Sequence, residues 1–492
     1  ICSETKKSYT YNQLYKKTNA LSNFFYKYSK IKQSDVIVIV LPNVPEYPII
    51  ALGAIQAGLV VSTANSFYTA DEIAKQLINC NPKIIFTLTN LYPTVCKAIA
   101  IAKQNIPVVI VKTKEDELIP SETIDFESIV QGETKLDFCL KRNWDDTILL
   151  LYSSGTTGLP KGVELTHKNI VSNLKQMSSP KINNLTETNA LPLYHCYGLT
   201  VSLLNGLRHG SKLITMSKFR SQLLLNVLNE HRPTLMHVVP PIFFFLLNSS
   251  NVQLQTLLNL KTLISGAAPL GGADITRFRE KTNNKISVIQ AYGLTETSPV
   301  THIQTTSLKN GIKTGGIGFS IPSTETCIVS VENGIPLASN EIGELLIRGP
   351  QVMKGYYNNT AATNAVLRDG WFKTGDLGYY DTDEHFFITD RIKELIKVKG
   401  YQVPPAELEE ILRDHPDIED AAVVGIPHPK FGEVPKAFVV LKPNLRTKKD
   451  DIHDYVNKKV SEFKQLRGGL IFITEIPKSP SGKILRRVLK EM

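Results

Sequence analysis

The chain has 492 residues, 42% of them hydrophobic and 21% charged, with 30 Gly and 27 Pro. This ordinary globular composition excludes disorder, collagen and coiled coil, and at ~150 residues per domain it allows about three domains or subdomains. Lys and Arg exceed Asp and Glu by 56 to 46, a net charge of +10 that suits anionic partners without choosing among nucleotides, nucleic acid and membrane.

Short apolar runs rich in β-branched residues, at 36–41, 83–88, 107–112, 147–152, 235–239 and 286–290, alternate with amphipathic stretches. That alternation predicts βαβ units and mostly parallel sheets covered on both faces. The run at 242–247 suits a buried strand or helix segment, and no run approaches the ~18 residues of a membrane span. Cysteines at 2, 80, 96, 139, 196 and 327 form no C-x-x-C pair and read as reduced thiols, so an intracellular compartment is expected. The first residues, ICSETKKS, carry no apolar signal core. The pattern changes near Asp390: residues 390–400, DRIKELIKVKG, are Lys-rich, and Pro404 and Pro405 then open a helix expected over 406–412. Strands follow at 421–425 and 437–441, and Ile452, Tyr455, Val456, Val460 and Phe463 share one face of a further predicted helix. The expected division is a large domain over 1–390, a hinge segment at 391–400 and a small α+β domain over 401–492.

The strongest motif is YSSGTTGLPKG at 152–162, directly after an apolar strand. Gly155 and Gly158 let the backbone approach an anion closely. The hydroxyls of Ser153, Ser154, Thr156 and Thr157 can donate to phosphate oxygens, and Lys161 adds a point charge. It is not a Walker A loop, because Pro160 precedes the Lys and Gly162 follows it. Other chemistry-bearing residues are Asp376 in a Gly-flanked turn and Glu296 just past a strand, where one carboxylate can hold Mg²⁺ against triphosphate oxygens.

With that motif the sequence resembles the adenylate-forming superfamily of acyl-CoA synthetases, 4-coumarate–CoA ligases and beetle luciferases. The likeness recurs in order along the chain. NVPEY at 43–47 and TANSFYTADEI at 63–73 look like the 4-coumarate–CoA ligase branch, and LPLYHCYGL at 191–199 is similar to its acyl-pocket motif. SGAAPL at 265–270, QAYGLTET at 290–297, KTGDLG at 373–378, the 390–400 hinge and PKSPSGK at 477–483 resemble the remaining family motifs.

The resemblance implies an α/β fold: a large adenylation domain of two parallel-rich sheets covered by helices plus a β-barrel-like subdomain, and a small mobile α+β domain. It implies ATP or AMP binding by Ser153, Ser154, Gly155, Thr156, Thr157, Gly158, Lys161, Gly266, Ala267, Ala268, Gln290, Ala291, Tyr292, Gly293, Leu294, Thr295, Asp376, Arg391, Lys393 and Lys483. Glu296 would hold Mg²⁺; His195, Tyr197, Val201, Ala268, Ala291 and Gln402 would line the acyl pocket; Lys218, Lys399 and Gly400 would meet CoA. Lys483 is the expected adenylation lysine, with His195, Thr295 and Lys397 beside it in catalysis, and Lys393 the pivot of the small domain.

The implied activity is an ATP-dependent acid–CoA ligase that forms an acyl-adenylate and passes the acyl group to CoA. The alternatives are a luciferase-like oxygenase, since LRGGLIFITEIPK at 466–478 resembles both branches, and a non-catalytic adenylate-binding protein. The expected partners are a small carboxylic acid, ATP and CoA, with no nucleic acid and no transmembrane segment, in a monomer or weak homo-oligomer. The expected location is cytoplasmic, or peroxisomal if the native C-terminus is longer. Ala291 stands where plant 4-coumarate–CoA ligases carry Gly, and Val201 where they carry Ser. A narrower, less polar pocket makes an aliphatic acid as well suited as a phenolic one.

Overall fold

The computed structural model describes every residue except 29, 115, 137, 154–159, 179–184, 269, 306–311, 400, 444, 446, 480 and 481, and the side chain of 189. Ser154, Gly155, Thr156, Thr157, Gly158 and Gly400 thus lie outside the described residues.

Strand Val36–Val40 shows why the apolar runs do not alternate. Val36, Val38 and Val40 pack with Ile73, Leu77 and Ile85, whereas Ile37 and Ile39 pack on the other face with Leu21, Phe25 and Ile49. A strand covered on both faces needs apolar side chains at every position. It lies in an eight-stranded sheet ordered Gly355–Tyr356, Lys161–Thr166, Thr147–Ser153, Val60–Thr63, Val36–Val40, Ile84–Leu88, Val108–Val111, Ile124–Asp125. The pairs from Thr147–Ser153 to Ile124–Asp125 are parallel, and Lys161–Thr166 turns back antiparallel. The covering helices carry start signals: Thr10 with Gln13 and Thr69 with Glu72 form reciprocal capping boxes for Tyr11–Lys27 and Ala70–Cys80.

A second sheet of seven strands is ordered Phe319–Ser320, Val300–Ile303, Ser287–Gly293, Thr262–Ser265, Leu235–Val238, Thr186–Asn189, Lys212–Thr215. The 242–247 run falls in helix Pro240–Asn248, which starts on Pro. Where a barrel-like subdomain is expected, Glu325–Val329, Gly343–Arg348, Leu367–Arg368, Trp371–Tyr380 and Phe386–Arg391 form a five-stranded antiparallel sheet.

A last five-stranded sheet, Ile396–Val398, Tyr401–Val403, Ile418–His428, Gly432–Leu441 and Leu470–Phe472, is covered by helices Pro405–Arg413 and Lys449–Asn457 and has its own core around Leu408, Val423, Val439 and Ile452. The second of these helices is shorter than its apolar spacing suggests. It ends at Asn457, and Val460 and Phe463 reach the same core from a loop and the 3₁₀ turn Glu462–Lys464. The spacing reported burial, which a turn can supply as well as a helix. No described helix is long and apolar enough to cross a membrane.

Candidate active site

The carboxylate of Asp376 anchors the site. Asp376 is not in a turn, as its flanking glycines suggested, but inside strand Trp371–Tyr380, directly opposite Arg391 of Phe386–Arg391. Gly375, at φ +72°, supplies the left-handed kink that leaves a strand residue with a turn-like sequence. Thr374 accepts the Asp376 N–H at 3.0 Å and Glu344 accepts the Gly375 N–H at 3.2 Å, so the kink is held from beneath. Asp376 is 2% exposed. Its Oδ2 accepts the Tyr292 hydroxyl at 2.5 Å, and Arg391 Nε lies 2.8 Å from Oδ1. That guanidinium contact is off the hydrogen-bonding direction, so Oδ1 has a charge partner but no hydrogen bond among the described residues. Burial pushes the Asp376 carboxyl up, against the pull of Arg391, Tyr292 and Lys483.

Lys483, from the far end of the chain, stands within electrostatic range of this carboxylate. Ser479 and Lys483 close a tight loop, Ser479 N to Lys483 O at 2.8 Å and Lys483 N to Ser479 Oγ at 3.1 Å. Gly482, at φ +82°, seats that loop on the large domain: a Cβ there would lie 3.0 Å from Pro241 Cδ and 3.3 Å from Val239 Cβ. The ammonium stands among Arg391, Glu394 and Asp376, and burial followed by the Arg391 charge lowers its pKa. Arg486 secures the neighbourhood through Glu394 at 2.8 Å, Glu409 and the Val423 carbonyl.

Across the cleft, Glu296 lies in the 3₁₀ turn Thr295–Thr297 after strand Ser287–Gly293 and is 8% exposed. Its Oε1 accepts the Ser153 and Tyr356 hydroxyls, both at 3.0 Å. Ser153 pairs with Lys161 at the mouth of the hairpin that encloses 154–159, and Lys161 Nζ sits 4.9 Å from the Tyr356 ring centroid. Thr295 Oγ1 is 3.4 Å from Cys196 Sγ, whose thiol burial pushes up to about 12.

The candidate acyl wall runs along the π-helix Tyr197–Leu204. Tyr197 donates to the Ile264 carbonyl at 2.8 Å, and a Cβ on Gly266 would lie 3.0 Å from Tyr197 Cε1 and 3.5 Å from the Ala291 carbonyl oxygen, so these three meet. Val201 is buried one turn further on. His195 Nδ1 accepts the Tyr197 N–H at 3.3 Å, which leaves the neutral ring's proton on Nε2. One edge of His195 stays open, yet the protein packed around it pushes its pKa down to about 4. Ala267 holds a left-handed φ of +70°, a strain that clusters at functional loops, and Ala268 follows it. Gln290 ties the loop down by accepting the Leu270 N–H at 3.0 Å, while Gly293 and Leu294 lead into the Glu296 turn.

Other expected site residues lie on the surface. Lys218 is exposed after strand Lys212–Thr215, and Lys393 is exposed at the start of the hinge. Lys397, Lys399 and Gln402 lie exposed on the hairpin of Ile396–Val398 and Tyr401–Val403. The small domain presents the Lys483 loop to the large one, with Gly482 against Val239 and Pro241. Lys399 Nζ instead sits 4.6 Å from the Phe431 ring, which Arg467 flanks at 4.9 Å. Tyr356 and Phe431 carry no motif of their own, and Glu394, though inside the hinge motif, was not singled out; only the fold brings them to these clusters.

Asp376, Arg391 and Glu296 of the large body interact electrostatically, and Lys483 of the C-terminal one joins Asp376 and Arg391, an arrangement in keeping with an adenylate-forming architecture. The chain belongs to the AMP-binding enzyme family: that family's model matches residues 1–357, and the model of the AMP-binding enzyme C-terminal domain matches 407–483. It is 38% identical over 482 residues to the probable 4-coumarate–CoA ligase 2 of Dictyostelium discoideum, covering 94% of this chain and 86% of that one. It is 38% identical over 501 residues to the 4-coumarate–CoA ligase 3 of Arabidopsis thaliana, covering 100% and 87%. The solved structure of ATP-bound MatB from Rhodopseudomonas palustris matches with a TM-score of 0.88 at 26% identity, over 98% of this chain and 93% of that one.

Proposed function

We propose that this cleft joins a carboxylic acid to AMP and then, in a second arrangement of the small domain, passes the acyl group to coenzyme A. The chain is an ATP-dependent acid–CoA ligase working through an acyl-adenylate, a class that rests on its family and its relatives. The observation that carries the residue assignments is the docking of the Lys483 loop on the large domain through Gly482, with its ammonium in the field of Asp376 and Arg391.

In the first half the substrate carboxylate attacks the α-phosphorus of ATP and pyrophosphate leaves. Two anions must meet, so catalysis comes from positioning and charge neutralisation. Asp376 suits the ribose, since Oδ1 has no hydrogen bond among the described residues. Lys483 neutralises charge at the reacting phosphate, and Lys161 and Ser153 face the triphosphate from the hairpin. Thr295 presents its hydroxyl beside Glu296. Glu296 fits Mg²⁺, because both described donors sit on Oε1 and Oε2 accepts none among the described residues. When bound, that cation would neutralise the triphosphate.

In the second half the CoA thiol attacks the carbonyl of the mixed anhydride and AMP leaves. Residues 401–492 would turn about Lys393, withdraw Lys483 and bring Lys397, Lys399 and Gln402 to the cleft. The cations around Phe431 are chemistry suited to the anionic nucleotide of CoA. Lys483→Ala is expected to abolish pyrophosphate exchange while sparing thioester formation from supplied acyl-adenylate. Equal loss of both half-reactions would refute this division of labour.

A further inference from the structure

The Glu296 carboxylate has two oxygens, yet both of its described donors converge on one. One donor is Ser153, at the base of the hairpin that carries Lys161; the other is Tyr356. We propose that Tyr356 is a positioning residue that aims the free oxygen of Glu296 at the cation and the Lys161 ammonium at the triphosphate. This rests on the reading of Glu296 given above.

The backbone around Tyr356 is fastened to both partners. Tyr356 pairs with Val163, the Tyr357 N–H donates to the Gly162 carbonyl at 2.8 Å, and the Lys354 N–H donates to the Glu164 carbonyl at 3.0 Å. On the other side the Met353 N–H donates to the Glu296 carbonyl at 2.8 Å. Residues 353–357 therefore bridge the Lys161 strand and the Glu296 turn, and the ring is buried between them.

The two ends of the side chain do different work. The hydroxyl, with Ser153, places two donors on Oε1, which opposes rotation of the carboxylate and leaves Oε2 clear of described partners. The ring face carries Lys161 Nζ at 4.9 Å, close enough for a cation–π contact that restricts a long, flexible ammonium. Groups that orient a metal's ligand commonly alter metal affinity by about 10–100-fold.

Phe and Leu substitutions separate these roles. Binding of a fluorescent ATP analogue is titrated with and without Mg²⁺ on the full chain, after thermal unfolding shows each variant folded. Tyr356→Phe keeps the ring and loses the hydroxyl. It is expected to raise the Mg²⁺ concentration for half-maximal binding about tenfold, with Mg²⁺-free affinity unchanged. Tyr356→Leu loses both, and Mg²⁺-free affinity should fall several-fold as well. Ser153→Ala, which removes the other donor, should move the Mg²⁺ requirement in the same direction. A parental Mg²⁺ requirement in Tyr356→Phe, or equal weakening with and without Mg²⁺, overturns the proposal. Glu296→Gln tells the two failures apart. If it leaves the Mg²⁺ requirement unmoved, the reading of Glu296 itself fails; if it shifts it and Tyr356→Phe does not, only the role of Tyr356 falls.

Discussion

A Cβ at Gly293 would lie 1.8 Å from the Pro299 carbonyl oxygen and 3.0 Å from Val300 Cα, and both are backbone atoms that cannot swing aside. The position admits only glycine, because Ser287–Gly293 and Val300–Ile303 pinch together immediately before the Thr295–Thr297 turn. Gly293→Ala is expected to cost about 1–3 kcal/mol, as overpacking does, and to displace Thr295 and Glu296 together. Chemical denaturation and pyrophosphate exchange should therefore fall in step; unchanged exchange would mean that the turn is not held by this pinch. Asp376 has the opposite design. Arg391, Tyr292 and Lys483 surround it with positive or donating groups, which keeps a carboxylate usable in a buried place that by itself favours the protonated form.

Within single elements, what matters is which face a residue occupies. The π-helix Tyr197–Leu204 turns Tyr197 toward Gly266 and buries Val201 one turn on, where a hydroxyl-bearing residue could have met a polar tail. We propose that with Val201 this wall selects by shape. Val201→Ser is expected to shift the ratio of AMP release toward phenolic over aliphatic acids, within the ~10–200-fold that one small pocket change can deliver. An unchanged ratio across a screen of both acid types would remove Val201 from the specificity determinants. In the hinge, the Lys-rich spacing suits no common helix face, and the structure explains it otherwise. Lys397 projects exposed from strand Ile396–Val398 while Val398 beside it is buried, and Lys399 follows outside the strand at a left-handed φ of +50°.

Across the whole molecule, stability and catalysis share the seams between sheets. His302 lies fully buried where Val300–Ile303 meets Phe319–Ser320, with Thr301 Oγ1 at 3.0 Å on Nδ1 and Ser320 and Thr326 hydroxyls at 3.3 Å on Nε2. Burial, with a smaller push from His385, lowers its pKa from 6.5 to about 3. Between those values the unfolded chain binds more protons than the folded one, so stability is complete above pH ~6.5 and is lost as pH falls toward 3. The loss is on the order of a few kcal/mol. His302→Gln should flatten the dependence of the denaturation midpoint on pH between 6.5 and 4, whatever it does to stability at neutral pH. A slope identical to the parent's would mean that other groups carry the acid lability.

The order of motifs, the covered parallel sheets and the separate C-terminal core were legible in the residues, because apolar runs and glycine- or hydroxyl-rich turns obey local rules of burial and backbone geometry. The sequence also marked Asp376, Glu296 and Lys483 as chemistry without saying how they meet. Tertiary structure alone decided three things: that Asp376 lies across a strand pair from Arg391, that Tyr356 supports Glu296 and Lys161, and that the small domain offers Lys483 rather than Lys399 to the cleft. These depend on strand register and on which face of one body docks on another. Such choices are set by contacts between residues hundreds of positions apart, and no local pattern encodes them.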